Sequence, residues 1–349
     1  MKKIKVGIIG TGLAWERLHY PAYQELTDQY EVAAVCDHNR EVVEDWGQRL
    51  GLDLSKDVFT DYRQMIRRPD LQVIDIMVPI PQNHQVAEEV ARSGKNIILE
   101  KPLGATYEQA VATTELPTLH GIKMMIAENY RYSEEFNLLR QLVQEKKIGD
   151  AIFFIYHSTS CFPCGMVKDT FYATEWRQHP EYRGGDILDA AIHDVAGLRH
   201  VFGGIKHLSA FGVPQTDEFS PYAAITVNLE FMNEMIGAFS YYPAGSEQQK
   251  PLVGLRIFGT KGMIYLENTD CGLINVFYND GGHELLGFKP KRGYYNELLN
   301  FYNALNGTEE ISVTPEMEIG DFRTIHAILQ SITDQDIVKV DRRPEYAMA

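Results

Sequence analysis

At 349 residues the chain exceeds one ordinary core and suits two domains, and 44% hydrophobic with 23% charged residues marks an ordinary globular protein rather than a disordered one. Its 33 basic against 48 acidic residues give a formal charge of −15, which opposes nucleic acid or an anionic membrane surface as the main partner. The opening Met1 to Gly10 is too short and too early broken by glycine for a signal peptide, and no stretch approaches the roughly 20 apolar residues of a membrane span, so a cytoplasmic location is expected.

Residues 4 to 9 form a short β-branched run that ends in Gly10-Thr11-Gly12, and residues 14 to 28 carry a helical pattern. The next apolar run, Val32 to Cys36, ends at Asp37, 25 residues after Gly12. Strand, glycine turn, helix, strand and acidic residue is the order of a dinucleotide-binding unit. The alternation continues with a strand at 73 to 78, a helix at 83 to 93, a strand at 96 to 99, a helix from 106 to 120 and a strand at 124 to 127. Strands joined by helical crossovers predict a parallel sheet covered on both faces.

After about residue 150 the strands lengthen and alternate with period two, clearest in Ile225 to Phe231. Met232-Asn233 turns that strand into Met235 to Tyr242, and Gly259 to Gly262 turns Leu255–Phe258 into Met263–Leu266. Residues 291 to 306 and 315 to 332 read as helices, and 341 to 349 as an exposed tail. The expected class is therefore α/β followed by α+β: a doubly wound parallel sheet over residues 1-128, then a mostly antiparallel open sheet with helices over 129-340.

Gly10, Thr11, Gly12, Leu13 and Ala14 form the candidate pyrophosphate turn, because backbone without side chains can approach the phosphates while amides of the next helix meet their charge. Trp15 stands where the third small residue usually allows helix and sheet to pack closely, so a displaced helix is expected. Asp37 suits ribose hydroxyls and favours NAD; Arg40 close by keeps NADP open. Lys101 follows the strand at 96 to 99, at the edge where open parallel sheets bind ligands, and reads either as a hydrogen-bond donor to substrate or as a solvated lysine. Asp189 and His193, four apart in an apolar helical pattern, read as a base with its orienting carboxylate on one helix face; the alternative is a first-turn aspartate and a satisfied histidine, with Asp186 as the helix cap. Residues 157 to 183 offer His157, Tyr172, Trp176, Arg177, His179, Tyr182 and Arg183 either to a substrate or to subunit packing. Cys161 and Cys164 form a C-x-x-C without the further ligands that a zinc site wants, so no metal is expected and a plain pair of thiols in a loop is.

With these residues in view, the chain resembles the glucose-fructose oxidoreductase / inositol dehydrogenase (Gfo/Idh/MocA) family. The motifs are Gly10-Thr11-Gly12, Val78-Pro79 through Asn83-His84, Glu100-Lys101-Pro102, and Gly184-Gly185 followed by Asp189 and His193. The resemblance implies hydride transfer between nicotinamide C4 and a secondary alcohol of a sugar, polyol or related cyclic substrate, with Lys101, Asp189 and His193 catalytic. It implies cofactor contacts at Pro79, Asn83, His84, Glu100 and Lys101, a cis Lys101-Pro102 peptide, either substrate contacts or a domain-packing role at Tyr130 and Arg131, and a homodimer or homotetramer. Some relatives instead bind the dinucleotide as sensors or use it transiently to cleave glycosidic bonds, and the retained Lys101 and His193 disfavour the sensor.

Overall fold

The computed structural model describes residues 3–159, 161–166, 170–243 and 254–341. Among them the strands form two sheets, of six and nine strands. The first contains β1 (Ile4–Ile9), β2 (Tyr30–Cys36), β3 (Val58–Phe59), β4 (Val73–Ile76), β5 (Asn96–Glu100) and β6 (Met124–Ala127). All pairs are parallel, in the order β3-β2-β1-β4-β5-β6. That is the doubly wound dinucleotide-binding order. The central strand β4 is buried throughout, as expected for a sheet covered on both faces.

The second sheet contains β7 (Ala151–Thr159), β8 (Ile205–Pro214), β9 (Tyr222–Phe231), β10 (Ile236–Tyr242), β11 (Gly254–Gly259), β12 (Gly262–Leu266), β13 (Leu273–Tyr278), β14 (His283–Gly287) and β15 (Val338–Lys339). Its order is β14-β13-β12-β11-β7-β10-β9-β8-β15, antiparallel except where β10 runs parallel to β7. Alternation places Phe154 and Tyr156 of β7, and Phe239 and Tyr241 of β10, on the buried face. The other face exposes Phe211, Val213 and Ile236.

The chain forms two compact units: residues up to Glu128 together with Tyr294–Ile319, and Asn129–Gly293 together with the chain from Gly320. This corrects the expectation of a second domain running unbroken over 129-340. Residues 294–319 bind to the first sheet's surroundings: Tyr30 Oη donates to the Leu298 carbonyl (2.8 Å), Lys123 Nζ donates to the Ala304 carbonyl, and the Ile126 amide donates to the Val313 carbonyl (3.2 Å). A helical pattern tells which face is apolar but not which sheet it covers. Of the expected tail, residues 342–349 lie outside the described residues.

Candidate functional site

The glycine turn is sterically obligatory at Gly10. Its φ is +90°, and a β-carbon there would lie 2.0 Å from the Met77 carbonyl oxygen. Gly12 instead has open space within 4 Å of its β position. Leu13 and Ala14 begin the helix, so the free amides of its first turn lie beside that opening. Thr11 is buried; its amide (2.8 Å) and hydroxyl (3.3 Å) donate to Asp37 Oδ2, while Asp37 Oδ1 accepts from the Asn39 amide at 2.9 Å. Asp37 thus braces the turn as well as ending β2.

Trp15 is fully buried, with ring centroids 5.3–5.7 Å from Tyr20, Tyr23 and Trp46. Trp15–His19 forms a wide π-helical turn before the α-helix Tyr20–Glu25. The wide turn gives the buried indole its place within the first helix.

At the end of β5 the Lys101-Pro102 peptide is cis. Asn83 is wholly buried in the helix Ile80–Arg92, and its Nδ2 donates to the carbonyls of Glu100 (3.1 Å) and Pro102 (2.8 Å). It therefore clamps the backbone on either side of Lys101. His84 Nδ1 lies 2.9 Å from Thr113 Oγ1 of the next helix, and Pro79 caps the helix that carries Asn83 and His84. The glycine opening, the braced aspartate and the helix amides together fit a dinucleotide: Gly10 to Ala14 would hold its pyrophosphate and Asp37 its ribose.

The same unit contains a cluster that sequence reasoning missed. His19 is 0% exposed, with Nδ1 2.9 Å from Asp75 Oδ2 and Nε2 2.9 Å from Glu100 Oε1. Burial opposes its protonation, but the two carboxylates outweigh burial and hold the imidazole well above its usual pKa. The three residues lie 25 to 81 positions apart, so no local spacing announces them.

In the second unit Gly184 (φ +99°) and Gly185 (φ +50°) open the helix Asp186–Asp189, and a β-carbon at Gly185 would lie 2.2 Å from the Phe219 carbonyl oxygen. Ala190 (φ −105°, ψ −48°) interrupts the helix before Ala191–Phe202. Asp189 thus ends one helical segment and His193 lies in the first turn of the next, so the single continuous helix of the i, i+4 reading is broken between them. Nor is Asp186 the cap: Gly185 holds that position, and Asp186 Oδ2 accepts from Tyr241 Oη at 2.5 Å. Asp194 Oδ1 likewise accepts from Tyr156 Oη at 2.6 Å. Burial, and next to it these carboxylates, push both phenols well up, so they remain donors. The two tyrosines anchor the helical segments to β7 and β10.

Arg177 Nε donates to Asp189 Oδ2 at 2.6 Å, and its guanidinium lies 4.0 Å from the Trp176 ring centroid. His193 stacks on Tyr130 with ring centroids 5.1 Å apart. Trp176, Arg177, Asp189, Tyr130 and His193 thus fall into two linked sets within one unit. Arg131 falls elsewhere: it is 2% exposed and its guanidinium grips Asp321 (2.7 and 3.1 Å), which fits the packing alternative for this residue rather than the substrate contact. His157 is also corrected, because it lies on β7 with Nδ1 2.6 Å from Ser240 Oγ rather than in a loop. Cys161 and Cys164 are joined in a disulfide, not left as free thiols. Among the described residues no cluster could hold a metal, and no helix is long and apolar enough to cross a membrane.

Sheet order, glycine turn and braced aspartate define a dinucleotide-binding oxidoreductase domain. Residues 4–127 match the family described as "Oxidoreductase family, NAD-binding Rossmann fold", and residues 136–265 match the "GFO/IDH/MocA C-terminal domain". The chain belongs to the Gfo/Idh/MocA family of NAD-binding oxidoreductases. It is 26% identical to the Saccharomyces cerevisiae protein YMR315W over 98% of this chain and 100% of that one. It is 27% identical to levoglucosan dehydrogenase of Pseudarthrobacter phenanthrenivorans, over 60% of this chain and 54% of the enzyme. Among solved structures, an oxidoreductase of Thermotoga maritima superposes with a TM-score of 0.85 at 25% identity, over 97% of this chain and 99% of that one. Levoglucosan dehydrogenase in complex with NADH shares the fold at a TM-score of 0.85 and 20% identity, over 98% and 100% of the two chains.

Proposed function

We propose that this chain is an NAD-dependent dehydrogenase acting on a secondary alcohol of a sugar, polyol or related cyclic substrate, with Lys101, Asp189 and His193 handling the proton. The observation that carries this reading is the placement of Lys101: it leaves the carboxyl edge of the dinucleotide sheet, with its flanking carbonyls clamped by a buried Asn83. Relatives named levoglucosan dehydrogenase and scyllo-inositol 2-dehydrogenase (NADP(+)) support the substrate class.

When bound, the nicotinamide supplies the hydride acceptor. An imidazole nitrogen of His193 takes the hydroxyl proton, and the Lys101 ammonium donates a hydrogen bond to substrate oxygen. Asp189 faces a guanidinium rather than solvent, so Arg177 sets the direction of its carboxylate. Trp176 and Tyr130 offer aromatic surface to a sugar ring. Asp37, bound at both oxygens to backbone amides, is directed at the ribose position and disfavours a 2′-phosphate; Arg40 is engaged by Glu44 at 2.8 Å. The exposed sheet face with Phe211 (71%), Val213 (59%) and Ile236 (51%) would be covered in a dimer or tetramer, which sedimentation velocity tests.

The experiment is turnover of purified Lys101→Ala and His193→Ala against wild type, with NAD binding measured in parallel. Each variant should lose at least about a hundredfold in kcat while binding NAD normally. Wild-type rates in both would remove the site assignment.

A further inference from the structure

The His19 cluster has no part in the proton chemistry above, yet it grips the residue next to Lys101. β5 ends at Glu100, whose backbone is held by β6 through its pairing with Ala127 and by Asn83 through its carbonyl. Its side chain is 12% exposed and is held by the His19 ring, Nε2 to Glu100 Oε1 at 2.9 Å. The same ring reaches Asp75 of β4 through Nδ1, and Tyr23 Oη donates to Asp75 Oδ2 at 3.0 Å. His19 thus ties the ends of two neighbouring strands together through their side chains.

We propose that His19 is a positioning residue for Lys101: its ring ties Glu100 to Asp75 on the adjacent strand and so fixes the strand end from which Lys101 leaves. The proposal rests on the reading of Lys101 as a catalytic residue. Lys101 follows Glu100 directly beyond the end of β5, so holding the Glu100 side chain restrains the rotation of the backbone from which Lys101 leaves. The side-chain tie from His19 adds to the backbone restraints given by Ala127 and Asn83.

Every group that faces the ring supports two donated hydrogen bonds. Asp75 and Glu100 each accept one. Glu297 of the helix Gly293–Leu305 is also fully buried, with neither carboxyl oxygen hydrogen-bonded; burial pushes its carboxyl well up, opposed by His19 and reinforced by Glu100, Asp75 and Glu128. Tyr294 of the same helix closes the ring with centroids 5.5 Å apart. A neutral imidazole has one N–H and could serve only one of the two carboxylates, whereas the imidazolium serves both.

The test is competitive acylation of lysines by acetic anhydride across pH, in the full chain saturated with NAD, read by peptide mass spectrometry for wild type, His19→Gln and Glu100→Gln. Positioning predicts that the acylation rate of Lys101 relative to the other lysines changes by at least about threefold, with a displaced pH profile, in both variants. It also predicts kcat lowered about tenfold or more with NAD affinity within about threefold. A merely structural His19 lowers the unfolding temperature but leaves the Lys101 labelling ratio and its pH profile unchanged, and that result overturns the proposal. Glu100→Gln preserves side-chain volume and keeps the test decisive if His19→Gln does not fold. Lys101→Ala separates the two levels: full turnover there overturns the catalytic reading and this proposal with it, while lost turnover with unchanged labelling in the His19 and Glu100 variants overturns this proposal alone.

Discussion

Replacing Arg131 by methionine separates a structural role from a substrate role. The guanidinium is buried and donates to both carboxyl oxygens of Asp321, at 2.7, 2.8 and 3.1 Å. Removing one partner of a buried ion pair costs about 3–5 kcal/mol, because the other charge is left without compensation. Asp321 keeps a second cation, since Arg199 Nε lies 2.9 Å from its Oδ1, and Arg199 is itself held by Asp341 at 2.7 Å. The expected loss is therefore at the low end, about 3 kcal/mol. A unit of this size loses about 2–4 °C per kcal/mol, so the transition of the second unit should fall by about 6–12 °C. Differential scanning calorimetry reads the shift, and steady-state kinetics on the folded protein reads the substrate KM. A transition within about 2 °C of wild type, or a raised KM at unchanged stability, would refute the reasoning.

His19 gains its stabilising charge from Asp75 and Glu100, and a group whose folded pKa lies above its unfolded value of 6.5 contributes fully below that pH and loses the contribution as pH rises through the folded value. Wild-type unfolding free energy should therefore carry a falling component of up to about 1.4 kcal/mol per pH unit above pH 6.5, absent from His19→Gln in urea titrations. Glu135 moves stability the same way for a different reason: burial raises its carboxyl from 4.5 to about 7, so the folded state is penalised as pH climbs between those values. Glu135→Gln should stabilise the protein at pH 8, by on the order of 1 kcal/mol after solvent screening, and leave stability at pH 4 nearly unchanged. Asp37→Ser should narrow the preference for NAD over NADP by at least about tenfold in binding titrations, since the carboxylate that repels a 2′-phosphate is removed.

The parallel half was legible because its signals are local. A β-branched run, Gly10-Thr11-Gly12 and Asp37 follow one another within a single unit of chain, and steric demand at Gly10 leaves no other residue there. The bulk of Trp15 cast doubt on close packing there, but nothing local announced the π-helical turn that carries it. The elements missed in that half were the helix Arg40–Arg49, although it is amphipathic and capped by Asn39, and the four-residue helix Tyr62–Met65 and two-residue strand β3, which are too short for a periodic signal.

What the sequence concealed was pairing over distance. Arg131 has the same chemistry whether it meets a sugar or Asp321, and only the fold brings a carboxylate 190 residues away to it. The interruption at Ala190 was hidden because the apolar pattern continues through it while Tyr156 and Tyr241 pull carboxylates on either side toward the sheet. His19 fits the helical pattern of an N-terminal segment, and its two acids come from separate strands. The disulfide was misjudged because four cysteines in the whole chain argue against a scaffold, although a C-x-x-C loop needs no scaffold to close.

The most direct test of the central claim is NADH formation, followed by its ultraviolet absorbance, when purified protein and NAD are offered a panel of anhydrosugars, sugars, inositols and sugar acids. A substrate-dependent rise that disappears in Lys101→Ala is the predicted result. Tight NAD binding with no NADH from any member of the panel, or equal rates with and without Lys101, would contradict it.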